Sequence, residues 1–110
     1  MEPNMEQEIN RLHASVCGAL SDPKRIAILY ALHEGPKNVT ELAELLNLNQ
    51  ATASRHLKVL RERSLVKAER HGAHIYYSLA DERVVEALDL LREVLASILA
   101  QRKVLAEFMV

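Results

Sequence analysis

The stretch Val39–Leu60, VTELAELLNLNQATASRHLKVL, decides how the rest of the chain is read. Its apolar positions divide into a short amphipathic helix ending near Leu46, a three-residue turn Asn47-Leu48-Asn49, and a longer helix opening at Gln50. That is helix-turn-helix spacing. In the second helix Ala53, Leu57 and Leu60 recur at i, i+4 and i+7 and are expected to face a core. Ala51, Ser54, Arg55 and Lys58 share the opposite side. A face so small, polar and basic lets a DNA backbone come close.

The flanking sequence supplies start and stop signals for further elements. Downstream of a frayed N-terminus, Ile9, Leu12, Val16 and Leu20 mark one face of a first helix, expected over residues 5–20, with His13 and Cys17 beside that stripe. Asp22 and Pro23 are an N-cap and a first-turn proline for a second helix running to about Glu34, where Gly35-Pro36 ends it. Ile26, Ile28, Leu29, Tyr30 and Leu32 make that helix apolar on more than one side, as a central buried helix would be. Asn38 with Glu41 resembles a capping box for the third helix, and Asn49 can cap the fourth.

Beyond Arg63, the runs on either side of Gly72 read as a β-hairpin over 65–79, in which Ile75, Tyr77 and Leu79 alternate inward. A hairpin directly after a recognition helix is a wing. Asp81 is then read as the cap of a last helix to about residue 105, free of Gly and Pro. On it Val84, Leu88, Leu91, Leu95 and Ile98 form one apolar stripe, flanked by Val85, Leu90, Val94, Leu99 and Val104. An arc that wide is more than one small domain can cover, so the last helix, with the first beside it, is the expected homodimer seam.

The expected fold is therefore mainly α with a small β-hairpin wing, as a single winged helix-turn-helix domain over 1–110, with its helix-turn-helix at 39–63. Net charge is only −1, which excludes a uniformly basic nucleic-acid coat. Residues 47–78, however, carry six basic side chains (Arg55, Lys58, Arg61, Arg63, Lys67, Arg70) against Glu62 and Glu69. This surplus of four leaves −5 on the remainder. A basic middle on an acidic frame fits a local footprint on phosphates. A single cysteine excludes an internal disulfide and suits a reducing cytosol, and no apolar run reaches the length of a membrane span. The reading is a cytoplasmic protein. No phosphate loop, nucleophile–base pair or closed set of metal ligands appears, so an enzyme is not expected, and no cofactor is implied.

The order of elements resembles the winged helix-turn-helix of the ArsR/SmtB-type repressors. ALSDPKRIAIL (19–29) looks like that family's approach to its second helix, LNQATASRHLKVLRERSLV (48–66) resembles its recognition-helix signature, and HGAHIYYSL (71–79) is similar to its wing. Ser64 stands where the family usually has Gly. The resemblance implies a homodimeric transcriptional repressor that binds a palindromic operator and leaves it when a chemical signal, often a metal, binds. The family's thiolate site, Cys-Val-Cys-Asp, falls on Asn38-Val39-Thr40-Glu41, without either sulfur. Its last-helix site falls on Asp81, Arg83, Val94 and Ser97, where only the aspartate is kept.

DNA is accordingly the expected partner. Gln50, Ala51, Thr52, Ser54 and Arg55 are expected at the major groove, Arg55 as a fork for guanine or phosphate. Lys58, Arg70 and His74 are expected on the backbone. His56 flanks the core face and reads either as a packed histidine or as a phosphate contact. His71 and His74 at the hairpin tip offer at best a weak, open metal site. His13 and Cys17, at i and i+4, are a candidate thiol–imidazole sensing pair. The plainer reading makes Cys17 a small buried hydrophobe, since free cysteine is among the most buried residue types. Two other functions stay open: a winged-helix module that binds proteins, and a single-thiol redox or metal sensor using Cys17.

Overall fold

The computed structural model describes residues 1–109. Its elements are α1 (Pro3–Leu12), a π-helical turn η1 (His13–Cys17), α2 (Pro23–His33), α3 (Val39–Leu46), α4 (Gln50–Glu62), β1 (Val66–His71), β2 (His74–Leu79) and α5 (Arg83–Phe108). The order is that of a winged helix-turn-helix.

The starts of α2, α3 and α4 are written locally. Asp22 accepts from the Lys24 N–H at 2.8 Å. Asn38 and Glu41 close a reciprocal capping box, at 2.9 Å to the Glu41 N–H and 3.1 Å back to the Asn38 N–H. Asn49 accepts from the Thr52 N–H at 2.7 Å. The stops are equally local. After α3, Asn47 turns left-handed (φ 52°) while the Leu48 N–H reaches the Ala43 carbonyl and the Asn47 N–H that of Glu44. After α4, Ser64 does the same (φ 62°), with Leu65 bonded to Leu60 and Ser64 to Arg61. Both are Schellman endings, in which the amide of the left-handed residue and the one after it satisfy the last carbonyls.

The core lies where α2, α3, α4, the base of the wing and the start of α5 meet. Ile28, Leu29, Leu42, Leu57, Leu60 and Val85 are its fully buried large side chains. Ala53, Leu57 and Leu60 are the inward face of α4, as their spacing predicts. The wing is antiparallel, with Val66 opposite Leu79 and His71 opposite His74, and Gly72 (φ 64°) turns the chain. A third segment holds it: Lys37 pairs with Tyr77 through two backbone bonds, at 3.0 and 2.8 Å. The hairpin is thereby tied to the α2–α3 linker as well as to α4.

Four expectations need correction. The first helix is not continuous over 5–20, because the backbone widens into the η1 turn at His13–Cys17. Cys17 is exposed rather than a buried hydrophobe, and His13 is exposed too. Ile75 does not turn into the core. It is 41 % exposed, because the hairpin has run past the helices by that point and only its base, Val66 and Leu79, is buried. Finally, the N-cap position of α5 falls on Glu82, which makes no side-chain cap bond. Asp81, one residue earlier, accepts from the Arg83 N–H at 2.9 Å.

α5 has 26 residues, of which only Val85 and Leu88 are buried. It is anchored on α2 by Tyr30, whose hydroxyl donates to Asp89 at 2.6 Å while the Arg92 guanidinium lies over its ring. Past that point Leu91, Val94, Leu95 and Leu99 are more than half exposed, and an open apolar groove of ≈ 440 Å³ separates α5 from Leu12, Val16 and Leu20. No helix is long and apolar enough to cross a membrane, among the described residues.

Candidate nucleic-acid interface

The outer face of α4 stands clear of the body. Gln50, Ala51, Ser54, Arg55 and Lys58 are all exposed, and Thr52 is half-buried. The capping of Asn49 and the burial of Ala53, Leu57 and Leu60 fix the rotation of the helix. The polar residues between them therefore have one direction in which to point. Gln50 is braced by α3, its amide donating to the Thr40 hydroxyl at 3.2 Å. Arg55 rests on Thr52, donating to its hydroxyl at 3.3 Å. One such bond leaves most of the guanidinium's five donors free.

Ser54 also lines a cleft of ≈ 320 Å³ with Asn38, Val39 and Thr40 of the α3 start and with Ala73, His74, Ile75 and Tyr77 of the wing. The structure thus brings the recognition helix, the first helix of the motif and the wing around one concavity. The sequence points to Asn38, Val39 and Thr40 as a helix start and as the family's metal position, and to Ile75 as core, not to a shared cleft. The link from Gln50 to Thr40, ten residues apart, has no signal in the periodicity. At the wing, Arg70 pairs with Ile75 and alternates with His71 and His74, which flank Tyr76 edge-on at ring distances of 5.8 and 6.5 Å. Arg70 and His74 are both exposed.

His56 is placed differently from its neighbours on α4. Its side chain is only 13 % exposed and faces the start of α2, with Asp22 at 4.0 Å and the Arg25 guanidinium at 3.4 Å from Nδ1. Burial pushes its pKa below the usual 6.5, against the pull of Asp22 and helped by Arg25, Lys24 and Arg55. A neutral ring can accept from Arg25 through Nδ1; a doubly protonated one cannot. Of the two sequence readings of His56, this geometry is that of the packed histidine.

The sequence profile described as "Bacterial regulatory protein, arsR family" matches residues 22–68. The arsenical resistance operon repressor of Bacillus subtilis is 36 % identical over 80 residues, 72 % of this chain and 76 % of that protein. The chain belongs to the arsR family. The HTH-type transcriptional regulator NmtR of Mycobacterium tuberculosis is 45 % identical over 76 residues, 69 % of this chain; the match spans 63 % of NmtR, less than two thirds of its length. Among solved arsR-like structures, Mb0332 of Mycobacterium bovis, described as a homodimeric winged helix-turn-helix DNA-binding domain, superposes with a TM-score of 0.76. It is 30 % identical, covering 90 % of this chain and 91 % of that one.

In this arsR-family chain the positions where metal-sensing members carry ligands are otherwise engaged. Asn38 and Glu41 spend their side chains on the α3 capping box. Asp81 holds the Arg83 guanidinium through both carboxylate oxygens, at 2.7 to 3.2 Å, and this bond with the Arg83 N–H lowers its pKa to about 2. Among the described residues no three His, Cys, Asp or Glu side chains gather in a way that could hold a metal ion. The donors at both positions do not fit a thiolate or a histidine-rich metal site.

Proposed function

We propose that this arsR-family protein is a sequence-specific DNA-binding transcriptional regulator acting as a homodimer, a repressor that releases a two-fold operator on a signal other than a metal at the two family positions. The observation that carries this reading is the outer face of α4. Gln50, Ala51, Ser54, Arg55 and Lys58 are exposed together on a helix whose rotation is locked by its buried face. A helix of that kind fits the major groove, with Arg55 and Gln50 at base edges and Ser54 and Thr52 at bases or phosphates. Lys58, Arg70 and His74 fit the flanking backbone, where contacts fix register.

Dimerisation is supported by α5, whose exposed leucines and valines lie on one long helix beside the groove facing Leu12, Val16 and Leu20. A two-fold pair would set two copies of α4 about one DNA turn apart, roughly 34 Å. The test is selection from a random-sequence duplex pool, followed by sequencing of what is retained. An enriched inverted repeat with half-sites about one turn apart supports the reading. A pool that stays random, with no duplex retained at low salt, overturns it in favour of a protein-binding module.

A further inference from the structure

α1 runs alongside no other element of the protomer, and none of its residues is buried. Its apolar side chains Met5, Ile9 and Leu12 are 42–52 % exposed. It is an arm, and how it is held relative to α4 depends on the short joint that follows. Apolar pins hold the far end of that joint: Ala19 is fully buried, and Val16 and Leu20 pack partly against the core.

Two arginines hold the rest through backbone carbonyls. Arg25, from α2, donates to the carbonyls of Ala19 at 2.6 Å and Gly18 at 3.3 Å. Arg63, the C-cap residue of α4, reaches across 48 and 49 positions of sequence to the carbonyls of Ser15 and Ala14. Both of Arg63's acceptors lie inside η1, where the π turn shifts the backbone bonds away from the α-helical pattern. Arg63 Nη1 passes close to Gly18 as well, 3.6 Å from where a Cβ would stand, an ordinary packing distance. Arg63 makes both contacts through its one Nη1, whereas Arg25 uses Nε and Nη2 on neighbouring carbonyls.

Resting on the dimeric DNA-reading function proposed above, we infer that Arg63 is a positioning residue: it locks the α1 arm to the end of the recognition helix and so sets the separation of the two reading helices across the dimer. Arg63 touches no base. It acts by making α1, η1 and α4 one rigid piece, so that a dimer held through its arms presents its two α4 helices at one spacing.

The test compares the wild-type protein with Arg63→Ala, Arg63→Lys and the charge control Arg61→Ala, each as the full chain. In the free proteins, amide residual dipolar couplings report whether α1 and α4 keep a single relative orientation. One alignment frame should describe both helices in wild type and Arg61→Ala, two in Arg63→Ala, with Arg63→Lys between. A single frame in Arg63→Ala overturns the inference whatever happens on DNA.

The second readout is binding to a duplex selected by the wild-type protein, and to the same duplex with one base pair added or removed at its centre. Wild type and Arg61→Ala should prefer the original spacing by about tenfold or more, a 1.4 kcal/mol step. Arg63→Ala should lose most of that preference, and Arg63→Lys should recover part of it. Full spacing preference in Arg63→Ala also overturns the inference. If the couplings behave as expected but wild type selects no duplex, the joint stands and the DNA reading fails.

Discussion

Arg55 and Lys58 stand one turn apart on the same exposed face of α4, yet they are assigned different work. Arg55 is held by Thr52 with most of its donors free, a geometry suited to a base edge. Lys58, a mobile point charge, suits a phosphate. Arg55→Ala should therefore weaken binding to the selected duplex by about 1–3 kcal/mol and relax its sequence preference, whereas Lys58→Ala should weaken selected and random duplexes alike. Fluorescence anisotropy on both duplexes measures the difference, and equal, sequence-blind losses would reverse the assignment of Arg55. His56 makes a prediction in stability. With its folded pKa below 6.5, the unfolded chain takes up the proton first. The contribution of the neutral ring is therefore complete above that pH and is lost as pH falls through the lowered value. Chemical denaturation between pH 7.5 and 5 should show a downward slope in wild type that is shallower in His56→Gln. Identical slopes would mean that the burial of His56 has no energetic weight.

The elements differ in how openly the sequence declares them. α2, α3 and α4 were legible because Asp22, Asn38 with Glu41, and Asn49 each satisfy a first-turn amide within three residues, and because the apolar repeat of α4 matches its buried face. The π turn was not legible, because one extra residue in the turn leaves the apolar spacing almost unchanged, and its contact with Arg63 lies far away in sequence. Nor was the exposure of Ile75 or Cys17. Alternation in a strand or a helix does not say where the element outruns the body it packs on. Of the interface, the face of α4 could be read from spacing, but the cleft joining Thr40, Ser54 and the wing could not. The end of α4 carries a testable residue of strain. Ser64 takes a left-handed conformation that glycine adopts freely. That conformation costs an L-residue about 1–2 kcal/mol, and glycine's extra unfolded-state entropy returns about 0.5–1 kcal/mol of it. Ser64→Gly should stabilise the protein by the remainder, a rise of a few degrees in the melting temperature, with DNA binding retained. A fall in melting temperature would show that the serine relieves that strain in another way.

At the scale of the whole molecule, charge and apolar surface are separated. The basic surplus lies on α4 and the wing, the acidic surplus elsewhere, and the unpartnered apolar surface runs along α5 and α1. Such a layout fits the proposed division of one region for DNA and another for a second copy. Leu95, 53 % exposed in the protomer, would be covered in the dimer. By two-fold symmetry Leu95→Glu removes that newly covered half twice, at about 1 kcal/mol each before the cost of burying the charge. Sedimentation should then find a monomer where wild type is a dimer, and operator affinity should fall with it. An unchanged dimer would move the seam away from α5.

A basic face that reads DNA must bind a duplex taken from the selected pool with a strong dependence on salt, measured on the wild-type protein. With Lys58 and Arg70 on phosphates in both protomers, four counterion-releasing contacts predict a logarithmic slope of about −3.6 or steeper. Binding that does not change with salt, or is absent at the lowest salt, would contradict a DNA-reading face.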